Sequence, residues 1–298
     1  MMEPGDCGQR HAFPNPTAPW PKMGWLLALL VCLLCTAPVH AQSGKRVALL
    51  IGNAAYSGGM PALSYPLQDI GVLEQSLKRL NFEVQVVRNA DQRAMGRAIR
   101  EFGNRAREAQ VALVYYSGHG MQSRDENYLI PVGANIQTEG DLEIEAVQLR
   151  ALLRQVEEAR PKTAVVVLDA CRDNPVAGRT KSGAKGLSRV QNAPVNTLVV
   201  YAALPGTTAT DNGVFARELA SRIVEPNVGI RTVFDKVGQA VRQATNQRQV
   251  IQREDQLSED VVLVAGAGGG APTAVERRNG TLGRRPVAAT ARPPTGPF

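Results

Sequence analysis

The chain has 298 residues, 44% hydrophobic and 20% charged, which is the composition of a globular protein of one or two domains. It carries 34 Lys and Arg against 27 Asp and Glu, a formal charge of +7. There is no long basic run and no basic stretch interleaved with aromatics, so nucleic acid is not an expected partner.

The first element is a leader. Residues 24–35 form an apolar run, preceded by Lys22 and followed by Thr36-Ala37-Pro38-Val39-His40-Ala41. A short apolar core ending in small residues reads as a secretory signal over residues 1–41, cleaved after Ala41, which implies an exported (periplasmic or secreted) protein. The run falls short of the ~20 residues a bilayer span takes, so no stable membrane span is expected after cleavage. An uncleaved signal would instead leave the chain tethered. Cleavage removes Cys7, Cys32 and Cys35 with His11 and His40, leaving Cys171 and His119 as the only cysteine and histidine. One cysteine cannot close an intramolecular disulfide, and one His with one Cys cannot build an all-nitrogen-and-sulfur zinc site.

From Lys45 onward, apolar runs of strand length alternate with helical periodicity. Strands are predicted at 46–51, 82–87, 111–116, 163–168, 197–201 and 261–264, and helices over about 67–80, 94–106, 147–156, 214–224 and 231–245. A short hairpin is expected at 128–132. This alternation implies one α/β domain over residues 45–264, with a mostly parallel six-stranded sheet covered by helices on both faces. Residues 178–192 hold Arg179, Lys181, Lys185 and Arg189 among Gly and Ser and read as an exposed basic loop. From Ala265 the Gly-, Pro- and Arg-rich tail has no apolar periodicity and is expected to be disordered.

Ligands of open α/β sheets bind beyond the carboxyl ends of the strands. Two predicted strands end in reactive groups there: Ser117-Gly118-His119-Gly120 and Asp169-Ala170-Cys171. Neighbouring strands would bring His119 beside Cys171, and a thiol next to an imidazole is a recurring means of attacking an amide carbonyl. Alone, such a Cys reads equally as a small buried hydrophobe and such a His as structural. Other chemistries fail on spacing. A thiol phosphatase needs Arg where Ala177 stands, and the turn after the first strand, Gly52-Asn53-Ala54-Ala55, lacks the Gly-x-Gly-x-x-Gly of dinucleotide enzymes.

The segments Tyr115-Tyr116-Ser117-Gly118-His119-Gly120 and Leu168-Asp169-Ala170-Cys171-Arg172-Asp173-Asn174-Pro175 resemble the His and Cys boxes of bacterial caspase-like proteins. Ile51-Gly52-Asn53 with Tyr56, Asn127-Tyr128-Leu129-Ile130-Pro131 and Tyr201-Ala202-Ala203-Leu204-Pro205-Gly206 extend the resemblance over residues 45–264. It implies a caspase-hemoglobinase three-layer sandwich and a cysteine-type endopeptidase acting on proteins or peptides. Cys171 would be the nucleophile and His119 the proton carrier, with the backbone N–H groups of Gly120 and Cys171 holding the oxyanion. Asp169 and Asp69, with Ser117 in the wall, resemble the metacaspase pattern and imply cleavage after Arg or Lys. The loop after Cys171 offers only Asp173 as an obvious carboxylate, so no metal or other cofactor is expected. A caspase-like interaction or regulatory module without turnover is the alternative. The segment Gln249-Val250-Ile251-Gln252-Arg253-Glu254 departs from the aromatic and Ser-rich stretch common in relatives.

Overall fold

The structure, a computed structural model, describes residues 44–57, 59–123, 126–171, 187–190, 192–204 and 212–266. The leader expected over residues 1–41, all but the first two residues of the expected tail and most of the expected basic loop lie outside the described residues.

Eight strands are described: β1 (Arg46–Gly52), β2 (Glu83–Arg88), β3 (Val111–Ser123), β4 (Glu126–Leu129), β5 (Val147–Gln148), β6 (Thr163–Cys171), β7 (Thr197–Tyr201) and β8 (Gln252–Asp255). Six of them form the main sheet in the order β2-β1-β3-β6-β7-β8, parallel throughout except for β8, which runs antiparallel to β7. The helices are α1 (Pro66–Arg79), α2 (Gln92–Ala106), α3 (Asp141–Glu145), α4 (Leu149–Ala159), α5 (Val214–Arg222) and α6 (Ile230–Ala244).

Side chains alternate across a strand, so the sheet buries two separate cores. On one face Leu50, Leu113, Tyr115, Val165, Val167 and Val200 pack with α1, α5 and α6. On the other, Leu49, Val114, Tyr116, Val166, Leu168 and Tyr201 pack with α2 and α4. The central strands are apolar on both faces because helices cover both, which is why they read as continuous runs in the sequence. Helix α2 starts at Asp91, whose carboxylate accepts the Ala94 N–H at 2.7 Å, and Pro stands at the first position of α1. Among the described residues no helix is long and apolar enough to cross a membrane.

Three expectations are corrected. The last strand is β8, not 261–264. The latter contributes one bridge, Gly229 to Val262, and buries Leu263. Strand β8 reads Gln-Arg-Glu-Asp and carries no apolar signal because it is the sheet edge, where charged side chains are at home. Its charges are paired: Arg253 with Asp235 at 2.8 Å, Asp255 with Arg231 at 2.6 Å, and Glu254 with Arg189 at 2.5 Å. Second, β3 runs on past His119 to Ser123 and pairs antiparallel with β4, so the hairpin strands lie earlier than 128–132. Third, the basic loop is not exposed throughout: Leu187 is only 1% exposed and belongs to the core under α4. The five-residue α3 is too short to leave a periodic trace.

Candidate active site

The parallel register of β3 on β6 pairs Ser117 with Asp169, Gly118 with Ala170 and His119 with Cys171. Two segments more than 50 residues apart in the chain thus end as neighbours at the carboxyl edge of the sheet. Ser117 O accepts the Asn53 N–H, and His119 O accepts the Ile130 N–H at 3.1 Å. The peptide groups of Ser117 and His119 therefore face β1 and β4. Those of Gly118 and Gly120 alternate to the opposite side, where β6 and Cys171 lie.

His119 is 1% exposed and rests on a pair of tyrosines. Its N–H donates to Tyr56 Oη at 2.9 Å, and its ring packs against the Tyr56 ring at 4.4 Å between centroids, tilted by 58°. Tyr56 Oη in turn donates to the Ile130 carbonyl at 3.0 Å. Tyr116 Oη accepts the Ile130 N–H at 3.1 Å and lies 2.7 Å from the His119 carbonyl. His119 Nε2 is 2.8 Å from the Pro61 carbonyl, which can only accept, so Nε2 carries the hydrogen. In the neutral ring Nδ1 is then the basic nitrogen.

Gly118 is imposed by this arrangement. A Cβ there would sit 2.6 Å from Tyr56 Oη and 2.7 Å from Tyr116 Oη, closer than real contacts allow. We expect Gly118→Ala to cost about 1–3 kcal/mol of stability through overpacking, which a thermal melt would read as a fall of several degrees. A variant that melts with the wild type would show that the tyrosine pair yields freely.

Beside the strand tips, a small cavity brings together Asp69 from α1, Ser117 from β3 and Asp169 from β6, lined also by Asn212, Gly213 and Phe215 at the start of α5. Asp69 is 4% exposed, and its Oδ2 accepts the Ser117 hydroxyl at 3.1 Å. Asp169 Oδ2 accepts from Tyr115 Oη at 2.7 Å. Burial, then the charges of Asp169 and Asp69, push the Tyr115 phenol well above its ordinary value, so it remains a donor to Asp169. The cavity volume is about 10 Å³, room for one water at most.

All six residue positions singled out in the sequence (69, 117, 119, 120, 169 and 171) therefore fall at one end of the sheet. The Pro61 carbonyl was not legible, because a backbone acceptor leaves no residue-type signature. Tyr115 had a trace: consecutive tyrosines at a strand tip must face opposite sides of the sheet, and each finds its own polar partner. Among the described residues no group of three His, Cys, Asp or Glu could hold a metal ion.

Comparison with known proteins agrees with this architecture. Residues 45–262 match the family model of the caspase domain, peptidase C14. The chain is 27% identical over 227 residues to the mucosa-associated lymphoid tissue lymphoma translocation protein 1 homolog of Mus musculus, and 26% identical over 227 residues to its Homo sapiens counterpart. Each match covers 73% of this chain but only 26% of the relative's length. In structure the chain is similar to the Drosophila initiator caspase Dronc, with a TM-score of 0.56 at 12% identity, covering 74% of this chain and 85% of that one. The alternating strands, the sheet order and the matched domain together place the chain in the caspase-domain family of cysteine peptidases.

Proposed function

We propose that this protein is an active cysteine endopeptidase that cuts polypeptides after Arg or Lys. The observation that carries the reading is the register of β3 on β6, which sets His119 opposite Cys171 with the Asp69 and Asp169 carboxylates beside them.

Cys171 gives its thiol proton to His119 Nδ1 and attacks the scissile carbonyl as the thiolate, so an S–C bond forms and the carbonyl electrons move to oxygen. The backbone N–H groups of Gly120 and Cys171 hold that oxyanion, each donor being worth about 2.7–4 kcal/mol. His119, fixed through Nε2 to Pro61, delivers a proton from Nδ1 to the leaving amine as the C–N bond breaks. Water then hydrolyses the thioester, with the same nitrogen taking its proton, and the thiolate is restored.

Selectivity follows from charge. A cation about 4 Å from a carboxylate gains roughly 4 kcal/mol at an effective dielectric of 20, before desolvation is subtracted. The buried Asp69 and half-buried Asp169 carboxylates therefore favour Arg or Lys and repel Asp. The cavity as it stands is too small for either cation, so admission requires its lining to give way. Export belongs to the same proposal, since loss of the leader leaves His119 and Cys171 as the only His and Cys.

The test is release of a fluorophore from matched peptides ending in Arg, Lys or Asp. Arg and Lys peptides are expected to be cut at least about 100-fold faster than Asp, which is ~2.7 kcal/mol of discrimination. Equal cleavage of the Asp peptide would remove the assignment of the pocket. A module without turnover would cut none, and would leave Cys171 unlabelled by an Arg-directed thiol-reactive inhibitor.

A further inference from the structure

On the face of the sheet opposite the carboxylate cavity, residues 187–190 are held at four consecutive positions. Leu187 is 1% exposed and belongs to the same buried core as Leu129, Ala170 and Tyr201. Ser188 N–H donates to Asn127 Oδ1 at 2.7 Å, and Asn127 Nδ2 donates back to Ser188 O at 2.8 Å. Arg189 makes two bonds to Glu254 of β8, at 2.5 and 3.0 Å. Val190 N–H donates to Tyr201 Oη of β7 at 3.1 Å. The partners thus lie on both sides of β6: Asn127 sits on β4 beside β3, while Tyr201 and Glu254 sit on β7 and β8. This strap straddles the strand that ends in Cys171.

Asn127 is the anchor nearest the reacting groups. It is 3% exposed and lies in register with Gln122, two residues beyond Gly120. Its amide presents one donor and one acceptor and pairs with the Ser188 main chain as a second peptide group would. The strap's first residue meets Gly120 directly: a Cβ on Gly120 would sit 3.0 Å from Leu187 Cδ2 and 3.0 Å from Ala170 Cβ. Leu187 is therefore seated where any displacement of the strap is felt at Gly120 and at the tip of β6.

From this geometry, and resting on the peptidase reading above, we infer that Asn127 is a positioning residue: its two-way pairing with Ser188 pins the strap and, through Leu187, holds Gly120 and the Cys171 strand tip in their reacting alignment. Because the strap and the carboxylate cavity are on opposite faces, loss of the pairing acts on turnover and spares substrate binding. A misplacement of about 1 Å can cost on the order of 100-fold in rate.

The experiment compares the full chain with Asn127→Ala and Asn127→Asp, measuring kcat and KM on an Arg-ended peptide and amide hydrogen exchange at Gly120 and residues 187–190. Expected for Asn127→Ala is a fall in kcat of about 10- to 100-fold, with KM within about threefold and faster exchange at Gly120. Asn127→Asp keeps the acceptor for the Ser188 N–H and loses the donor, so it should fall between, and it carries the test if the Ala variant does not fold. A kcat within twofold of wild type overturns the inference, and so does a loss of kcat matched by an equal worsening of KM. If the wild type cuts no peptide, the peptidase reading falls by itself, and exchange at Gly120 still decides the latch: unaltered exchange in either variant overturns it, and faster exchange supports it.

Discussion

Cys171→Ala is expected to lower kcat/KM on an Arg-ended peptide by at least about 10⁴-fold, and His119→Ala by nearly as much. Without the sulfur no thioester forms, and what remains is whatever substrate binding and the oxyanion donors achieve on water. Without the imidazole the thiol keeps its place in the register but has no group to move protons. The two act as one unit, so the double variant should be hardly worse than either single one. Alkylation by iodoacetamide, followed at the Cys171 peptide by mass mapping, separates the roles, because His119→Ala should slow it without removing the thiol. A Cys171→Ala protein that keeps more than a tenth of wild-type activity would end the case for a covalent route through this residue.

The second large effect concerns the paired carboxylates. Asp169→Asn keeps the shape of the side chain and an acceptor for Tyr115 while removing one charge. If about half of the ~4 kcal/mol attraction survives desolvation, kcat/KM for an Arg peptide should fall about 30-fold, mostly through KM. Asp69→Asn should behave alike, since its carboxylate is buried in the same cavity and bonded to Ser117. Cleavage of an Asp-ended peptide should not fall in either variant. The measurement is a pair of saturation curves per variant. A drop shared equally by Arg and Asp peptides would mean that the substitutions damage the fold and not the selectivity.

Much of this arrangement was legible before any coordinates, for physical reasons that differ by element. Strands β1, β3, β6 and β7 announce themselves because both of their faces are buried, which leaves unbroken runs such as Val165-Val166-Val167-Leu168. Helices α1 and α2 show their buried stripes through Ile70, Leu73 and Leu77 and through Met95, Ile99 and Phe102. Positions 119 and 171 stand out in the sequence because each closes an apolar run with a polar or nucleophilic residue. Strand β8 was hidden by the same physics in reverse, since an outer strand is held by backbone pairing and ion pairs and needs no apolar face. The Asn127–Ser188 pairing was equally hidden: it joins two polar residues 61 positions apart, and nothing in either neighbourhood specifies the other.

Cys171 stands opposite His119, and Leu187 rests on Gly120, so both ends of the intervening stretch are moored to adjacent residues of one strand. For a chain joining two such moorings, doubling its length adds only about 0.6 kcal/mol of closure entropy. With both ends fixed by the sheet, a change of length between positions 172 and 186 would leave the moorings at His119 and Gly120 in place, since the register of β3 on β6 sets them.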